Sequence, residues 1–249
     1  MIGLKGLWIS FGDNEVLKGL DLNIEEGETV VVIGQSGCGK SVLLKTIVGL
    51  ISPDEGEVII DNISLKNISR RELYEIRKKI GMVFQSSALF DSLSVWENIG
   101  LGFIEHFRMP RKEIMRITRE KLMLVGLPDV EDKYPAELSG GMKKRVGIAR
   151  AIAMDPDFVL YDEPTAGLDP IIADRINNLI IELQKKLKIT TIAVTHDIIS
   201  AYKIADRIAM LYDGKIIFDG TPEEVQSTDN PYVQQFIAGE GEGPISGGI

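Results

Sequence analysis

Three clusters in this 249-residue chain combine residue types that handle phosphate. Gly34-Gln35-Ser36-Gly37-Cys38-Gly39-Lys40-Ser41 follows the spacing G-x4-G-K-S of a phosphate-binding loop. Its glycines permit backbone angles that turn successive N–H groups toward a polyphosphate. Lys40 adds a cation for the β- and γ-phosphates, and Ser41 offers a hydroxyl to Mg2+. About 120 residues later, Phe158-Val159-Leu160-Tyr161-Asp162-Glu163 is an apolar run ending in two acids. At the carboxyl end of a parallel strand, Asp162 would hold Mg2+ through its water shell. Glu163, on the other side of the pleat, would polarise an attacking water. The third cluster, Leu138-Ser139-Gly140-Gly141-Met142, stands about twenty residues before those acids and opens a helix. Helix starts carry unpaired N–H groups and partial positive charge. Ser139 can cap, and the glycines let an anion approach the bare backbone. Two anion sites with one nucleotide to bind is a mismatch that needs an explanation.

Other positions are less specific by themselves. His196 follows an apolar strand and precedes Asp197. It either faces the ligand crevice, in reach of a γ-phosphate, or is a helix-capping surface histidine. Gln85 ends a strand over 80–84 and carries an amide that can ligate Mg2+ or its water. Phe11 either stacks on a base or simply packs. Cys38 reads as a position whose backbone matters. His106 and the basic residues Arg70, Arg71, Arg77, Lys78, Lys79, Arg108, Arg111 and Lys112 read as structural or solvated positions.

The elements that must position these residues show in the hydropathy pattern. Segments 2–9 and 14–24 alternate apolar and polar around Gly12-Asp13-Asn14, which predicts two antiparallel strands. Thr29-Val30-Val31-Val32-Ile33 is a β-branched run suited to a strand buried on both faces, with a helix from Val42 onward after the loop. Further strands are expected at 57–61 and 79–84. The pattern then turns helical from about 86 to 155, with amphipathic stretches near 94–106 and 111–125. From 157 strands and helices alternate again: a helix over about 170–187, a strand at 190–194, and strands near 206–212 and 215–219. That order predicts an α/β fold with a mostly parallel, doubly wound sheet and an inserted helical segment. Gly239 to Ile249 is glycine-rich and reads as a flexible arm.

The bulk composition, 44% hydrophobic and 26% charged, is that of a globular chain. A net charge of −9 weighs against broad nucleic-acid binding. Apolar runs fall short of the roughly 18 residues a membrane span requires, and the first residues have no signal-peptide pattern. The single cysteine excludes an internal disulfide framework and suits a reducing compartment.

Taken together, Gly34–Ser41, Leu138-Ser139-Gly140-Gly141, Asp162-Glu163, Ala166-Gly167-Leu168-Asp169 and His196, in this order and spacing, resemble the ATPase subunit of ABC transporters over about residues 2–238. The resemblance implies a P-loop ABC ATPase core with a mostly parallel doubly wound sheet, an antiparallel β subdomain and an inserted α-helical subdomain at about 86–155. It implies one nucleotide-binding domain over 1–238 and a glycine-rich tail over 239–249. ATP and Mg2+ are the implied ligands. Phe11 takes the place of an adenine-stacking aromatic that is usually tyrosine, and Val16 would pack near the base. Gly34, Gln35, Ser36, Gly37, Cys38, Gly39, Lys40, Ser41 and Val42 would bind the phosphates. Ser41, Gln85 and Asp162 would hold the metal, Glu163, His196 and Lys40 would carry catalysis, and Asp169 belongs to the D-loop. Ser139, Gly140, Gly141 and Met142 would act in trans on ATP bound to a second copy, which explains the second anion site and implies a homodimer.

Met142 stands where the family most often has glutamine. The run Leu138–Val146, with a Gly243-Pro244 pair after the last helix, is similar to the Mla/Mce group of lipid-transport ATPases. That likeness implies membrane permease subunits docking around Gln85 and 86–105, an auxiliary small subunit, a lipid-binding protein, and a peripheral place on the cytoplasmic face of the inner membrane, with no nucleic-acid partner. The alternatives are an importer ATPase for amino acids or other small polar solutes, a non-transport ABC ATPase acting on nucleic acid or ribosomes, and a nucleotide switch without turnover.

Overall fold

A computed structural model describes residues 1–107 and 109–245, apart from the side chain of His106. Arg108, the His106 side chain and residues 246–249 of the expected arm lie outside the described residues. The chain divides into two compact units, Met1–Ser69 with Ile192–Ile249, and Arg70–Thr191.

The first unit is built on two sets of strands. β1 (Ile2–Phe11) pairs antiparallel with β2 (Asn14–Ile24) and with β4 (Glu55–Ile60), with Ile2 opposite both Ile24 and Ile60. A short β5 (Ile63–Ser64) completes the order β2-β1-β4-β5. The expected hairpin therefore forms, closed at Phe11 and Asn14. The inward positions of the alternation, Leu4, Leu7, Ile9, Leu17, Leu20 and Leu22, are buried, and Trp8 on the opposite face lies over Gly19 and remains 37% exposed. In the second set, β3 (Thr29–Ile33) runs parallel to β9 (Arg207–Tyr212), which pairs antiparallel with β10 (Lys215–Gly220). Val30 to Ile33 are wholly buried, as a continuous β-branched run demands. α1 (Lys40–Ile47) and α7 (Ile198–Ile204) follow β3 and β8 (Thr190–Thr195).

The end of the first unit departs from the expected arm. After α8 (Pro222–Ser227) and α9 (Pro231–Ala238), the chain folds back. The buried Gln235 amide donates to the Glu240 and Ile245 carbonyls, each at 3.2 Å, and its oxygen accepts from the Ile245 N–H at 2.7 Å. Ile245 is buried in consequence. One apolar residue and one satisfied amide fix a segment whose composition reads as loose.

The second unit holds β6 (Ile80–Val83) parallel to β7 (Phe158–Asp162), together with α2 (Arg70–Lys78), α3 (Val95–Phe107), α4 (Arg111–Leu124), α5 (Gly140–Ala151) and α6 (Pro170–Leu187). α3, α4 and α6 fall where periodicity expects helices. α2 was not expected: it is short and mostly charged, its only buried residue is Ile76, and Lys78 pairs with Glu75 at 2.8 Å. In α3, the half-buried Trp96 receives the Arg111 guanidinium over its ring at 4.8 Å. Among the described residues no helix is long and apolar enough to cross a membrane.

Candidate functional site

In the first unit, the chain leaves β3 at Ile33, turns through Gly34–Gly39, and enters α1 at Lys40. The residue before the helix is Gly39, at φ 106° and with no side-chain cap on the helix start. A Cβ there would stand 2.9 Å from the Val16 side chain, so only glycine fits. Val16, expected near a base, thus packs against the phosphate loop itself. Ser36 and Gly37 are exposed, Gln35, Cys38, Ser41 and Val42 are half-buried, and Gly34 is buried. The buried Lys40 donates its ammonium to the Gly34 carbonyl at 2.7 Å and to the Gln35 carbonyl at 2.9 Å. Phe11 ends β1 with 52% of its surface exposed, which leaves its ring available for stacking. His196 is exposed at the end of β8. It does not cap the next helix: Asp197 does, accepting from the Ile199 N–H at 3.0 Å and the Ser200 N–H at 3.3 Å.

In the second unit, the expected helix start at Ser139 forms. Its hydroxyl accepts from the Met142 N–H at 3.3 Å, and Ser139 and Gly140 are exposed while Gly141 and Met142 are half-buried. A Cβ on Gly141 would approach the Ile172 side chain to 2.9 Å. Asp162 ends β7 and is buried. Glu163 does not continue the pleat. It lies just past the strand in left-handed backbone, φ 49°, and is also buried. Its carbonyl accepts from the Ala166 N–H at 3.2 Å and from the Lys144 ammonium at 3.1 Å. Asp169 caps α6, accepting from the Ile171 and Ile172 N–H groups at 3.0 Å. Gln85 lies two residues beyond β6 and is exposed.

The loop entered at Gln85 contains two more left-handed residues, Ser87 at φ 63° and Ala88 at φ 43°. Residues outside glycine held there cost roughly 1–3 kcal/mol each and persist only where neighbours over-determine them. The determinants here are two cations of α5. Lys144 donates to the Gln85 carbonyl, and Arg150 donates to the Ser87 and Ala88 carbonyls, each at 2.6 Å. Burial lowers the Lys144 pKa, and the Glu163 and Asp162 charges work against that fall. Burial also lowers that of Arg150. Neither residue was singled out from sequence. The available signal was a lysine in the apolar stripe Lys144, Gly147, Ile148, Ala151, at helical spacing i, i+3, i+4, i+7.

Among the described residues no group of three or more His, Cys, Asp and Glu side chains could hold a metal by itself. Ser41 in the first unit carries a hydroxyl, and Gln85 and the buried Asp162 in the second carry an amide and a carboxylate. Oxygen donors of these types are hard ligands that suit Mg2+, which takes its other ligands from substrate phosphates and water and does not need an all-protein cage.

The model of the ABC transporter family matches residues 17–166. The intermembrane phospholipid transport system ATP-binding protein MlaF of Haemophilus influenzae is 40% identical over 245 residues, 98% of this chain and 93% of that one. The probable ribonucleotide transport ATP-binding protein mkl of Mycobacterium leprae is 41% identical over 98% of this chain and 70% of its own length. Among solved structures, the ATP-binding cassette MJ0796, dimeric in a post-hydrolysis state bound to ADP and Pi, aligns with a TM-score of 0.81 at 38% identity, over 89% of this chain and 99% of that one.

Proposed function

Because this chain belongs to the ABC transporter family, we propose that it is the ATP-hydrolysing subunit of a transporter that moves phospholipid between membranes. One observation carries the reading. The chain has two helix starts fit for phosphate, and that of α5 is exposed at Ser139 and Gly140. Near full-length similarity to a phospholipid-transport ATPase supports the lipid, and an importer for amino acids or other small polar solutes is not favoured.

Within this reading, Phe11 stacks on adenine, and the N–H groups of Gly34 to Val42 with the Lys40 ammonium hold the triphosphate. Ser41, Gln85 and Asp162 would hold Mg2+. The ion would offset charge developing on the β- and γ-phosphate oxygens. Glu163 accepts a proton from water as its oxygen attacks the γ-phosphorus. The bond from that phosphorus to the β-bridging oxygen breaks, and ADP and phosphate leave. His196 contacts the γ-phosphate and the water. Ser139, Gly140 and Gly141 donate to the γ-phosphate bound by a second copy, and Asp169 holds the start of α6 beside that contact. Membrane permease subunits dock near Gln85 and 86–105, and an auxiliary subunit and a lipid-binding protein complete the transporter at the cytoplasmic face of the inner membrane.

Glu163→Gln is expected to lower ATP turnover by about 10²–10⁴-fold while leaving ATP-dependent dimers, measured by phosphate release and light scattering. Near-normal hydrolysis would overturn the base assignment. Transfer of a labelled phospholipid between vesicles by the assembled transporter, abolished in the same variant, tests the cargo. ATP-driven movement of a ribonucleotide or an amino acid without phospholipid transfer would replace the lipid reading.

A further inference from the structure

α5 begins with the residues assigned to the second copy's nucleotide, and its interior reaches into its own unit. Lys144, the fifth residue of the helix, is 5% exposed, with its ammonium on two backbone carbonyls, those of Gln85 and Glu163. A buried ammonium needs acceptors, and these two belong to residues assigned to metal holding and to proton transfer. Glu163 sits in left-handed backbone that a strand would not adopt unaided, so a charge-assisted bond to its carbonyl fixes where the residue stands. On the same helix, Gly147 brings α5 close: a Cβ there would lie 3.3 Å from that of Ser87. One turn further, Arg150 holds the Ser87 and Ala88 carbonyls. Every left-handed residue of the Gln85 loop, and Glu163, is thus tied through its carbonyl to a cation of one helix.

We infer that Lys144 is a positioning residue for hydrolysis, tying the Gln85 loop and Glu163 to the helix that carries Ser139. This rests on the assignment of Glu163 and Gln85 given above. At 1.5 Å per residue, Lys144 sits about 7.5 Å along the helix from Ser139. A single rigid element therefore joins the contact made to the second copy's ATP with the backbone that places this copy's own base.

The test uses the chain assembled with its membrane subunits, with the unmodified protein alongside. Lys144→Met keeps length and apolar stem but removes the donor. Its kcat is expected to fall about 10- to 100-fold while the KM for ATP stays within about twofold, since displacing a reacting group by about 1 Å has that size of effect and substrate contacts are untouched. Lys144→Arg, which restores a cation, should recover most of the rate. ATP-dependent dimers should still form in the Met variant. Unchanged kcat in Lys144→Met would overturn the inference, as would a parallel loss of kcat and nucleotide affinity with no rescue by arginine. If the Met variant does not fold, Lys144→Leu, which also removes the donor, takes its place, and an unchanged kcat there is equally decisive. An unmodified complex that fails to hydrolyse ATP would instead count against the ATPase reading itself.

Discussion

The two helix starts proposed to handle phosphate are built differently. At α1 the residue before the helix is glycine, which has no side chain to cap with, and a lysine stands at the first helical position. At α5 a serine caps, no basic residue lies in the first three positions, and the buried Lys144 and half-buried Arg150 hold backbone carbonyls, as Lys40 does those of Gly34 and Gln35. The first pairs a helix start with a counter-charge. The second has donors only. A helix start that offers donors without a cation is suited to touch an anion held by something else, which is what a contact in trans requires.

This contrast can be broken by experiment. The largest effect is expected from Lys40→Ala: loss of the cation at the α1 start should lower turnover by about 10²–10³-fold and weaken ATP binding, read by phosphate release and nucleotide titration. A protein that binds and turns over ATP normally without Lys40 would erase the distinction. Next comes Gly140→Asp. An acid in the first turn suits the helix dipole, and the nearest atom to a new Cβ is Leu168 Cδ2 at 3.8 Å, so thermal stability should hold. Turnover should nevertheless fall at least about tenfold, because a negative charge stands where the second copy's phosphate docks. Mixing the Lys40→Ala and Gly140→Asp chains sharpens the point. Each is impaired by itself, but a mixed dimer keeps one site with both halves intact. Recovery of up to about a quarter of the normal rate is expected for random pairing, and no recovery would mean that the α5 start acts on its own copy. The smallest effect belongs to Ser139→Ala, where loss of the cap should cost about 1 kcal/mol and lower Tm by about 2–4 °C, followed by calorimetry.

Local chemistry was legible where residue type and backbone demand coincide. The β-branched run of β3 admits only a strand buried on both faces, and Gly34–Ser41 after it admits few other loops. Ser139 was legible as a cap for the same reason. What escaped depended on contacts from distant segments. The run through Phe158 gives no hint that the strand stops at Asp162 and that Glu163 turns left-handed, because that turn is held by Lys144, nineteen residues away. Ile245 closes on Gln235 through a single buried amide, which no composition rule for a glycine-rich tail anticipates. α2 was missed because it is only nine residues long and mostly charged, with Ile76 as its one buried residue.

The chain's two tryptophans fall one to each compact unit. Trp8 is partly open to water over Gly19, and Trp96 is half-buried beneath the Arg111 guanidinium. Their indoles are therefore two built-in fluorophores in unlike surroundings. Trp8→Phe leaves an emission from the helical unit alone, and Trp96→Phe leaves one from the unit bearing the phosphate loop. Urea titration of the two single-tryptophan proteins would follow the melting of each unit separately, and addition of ATP would tell which unit the nucleotide stiffens first, without any external label.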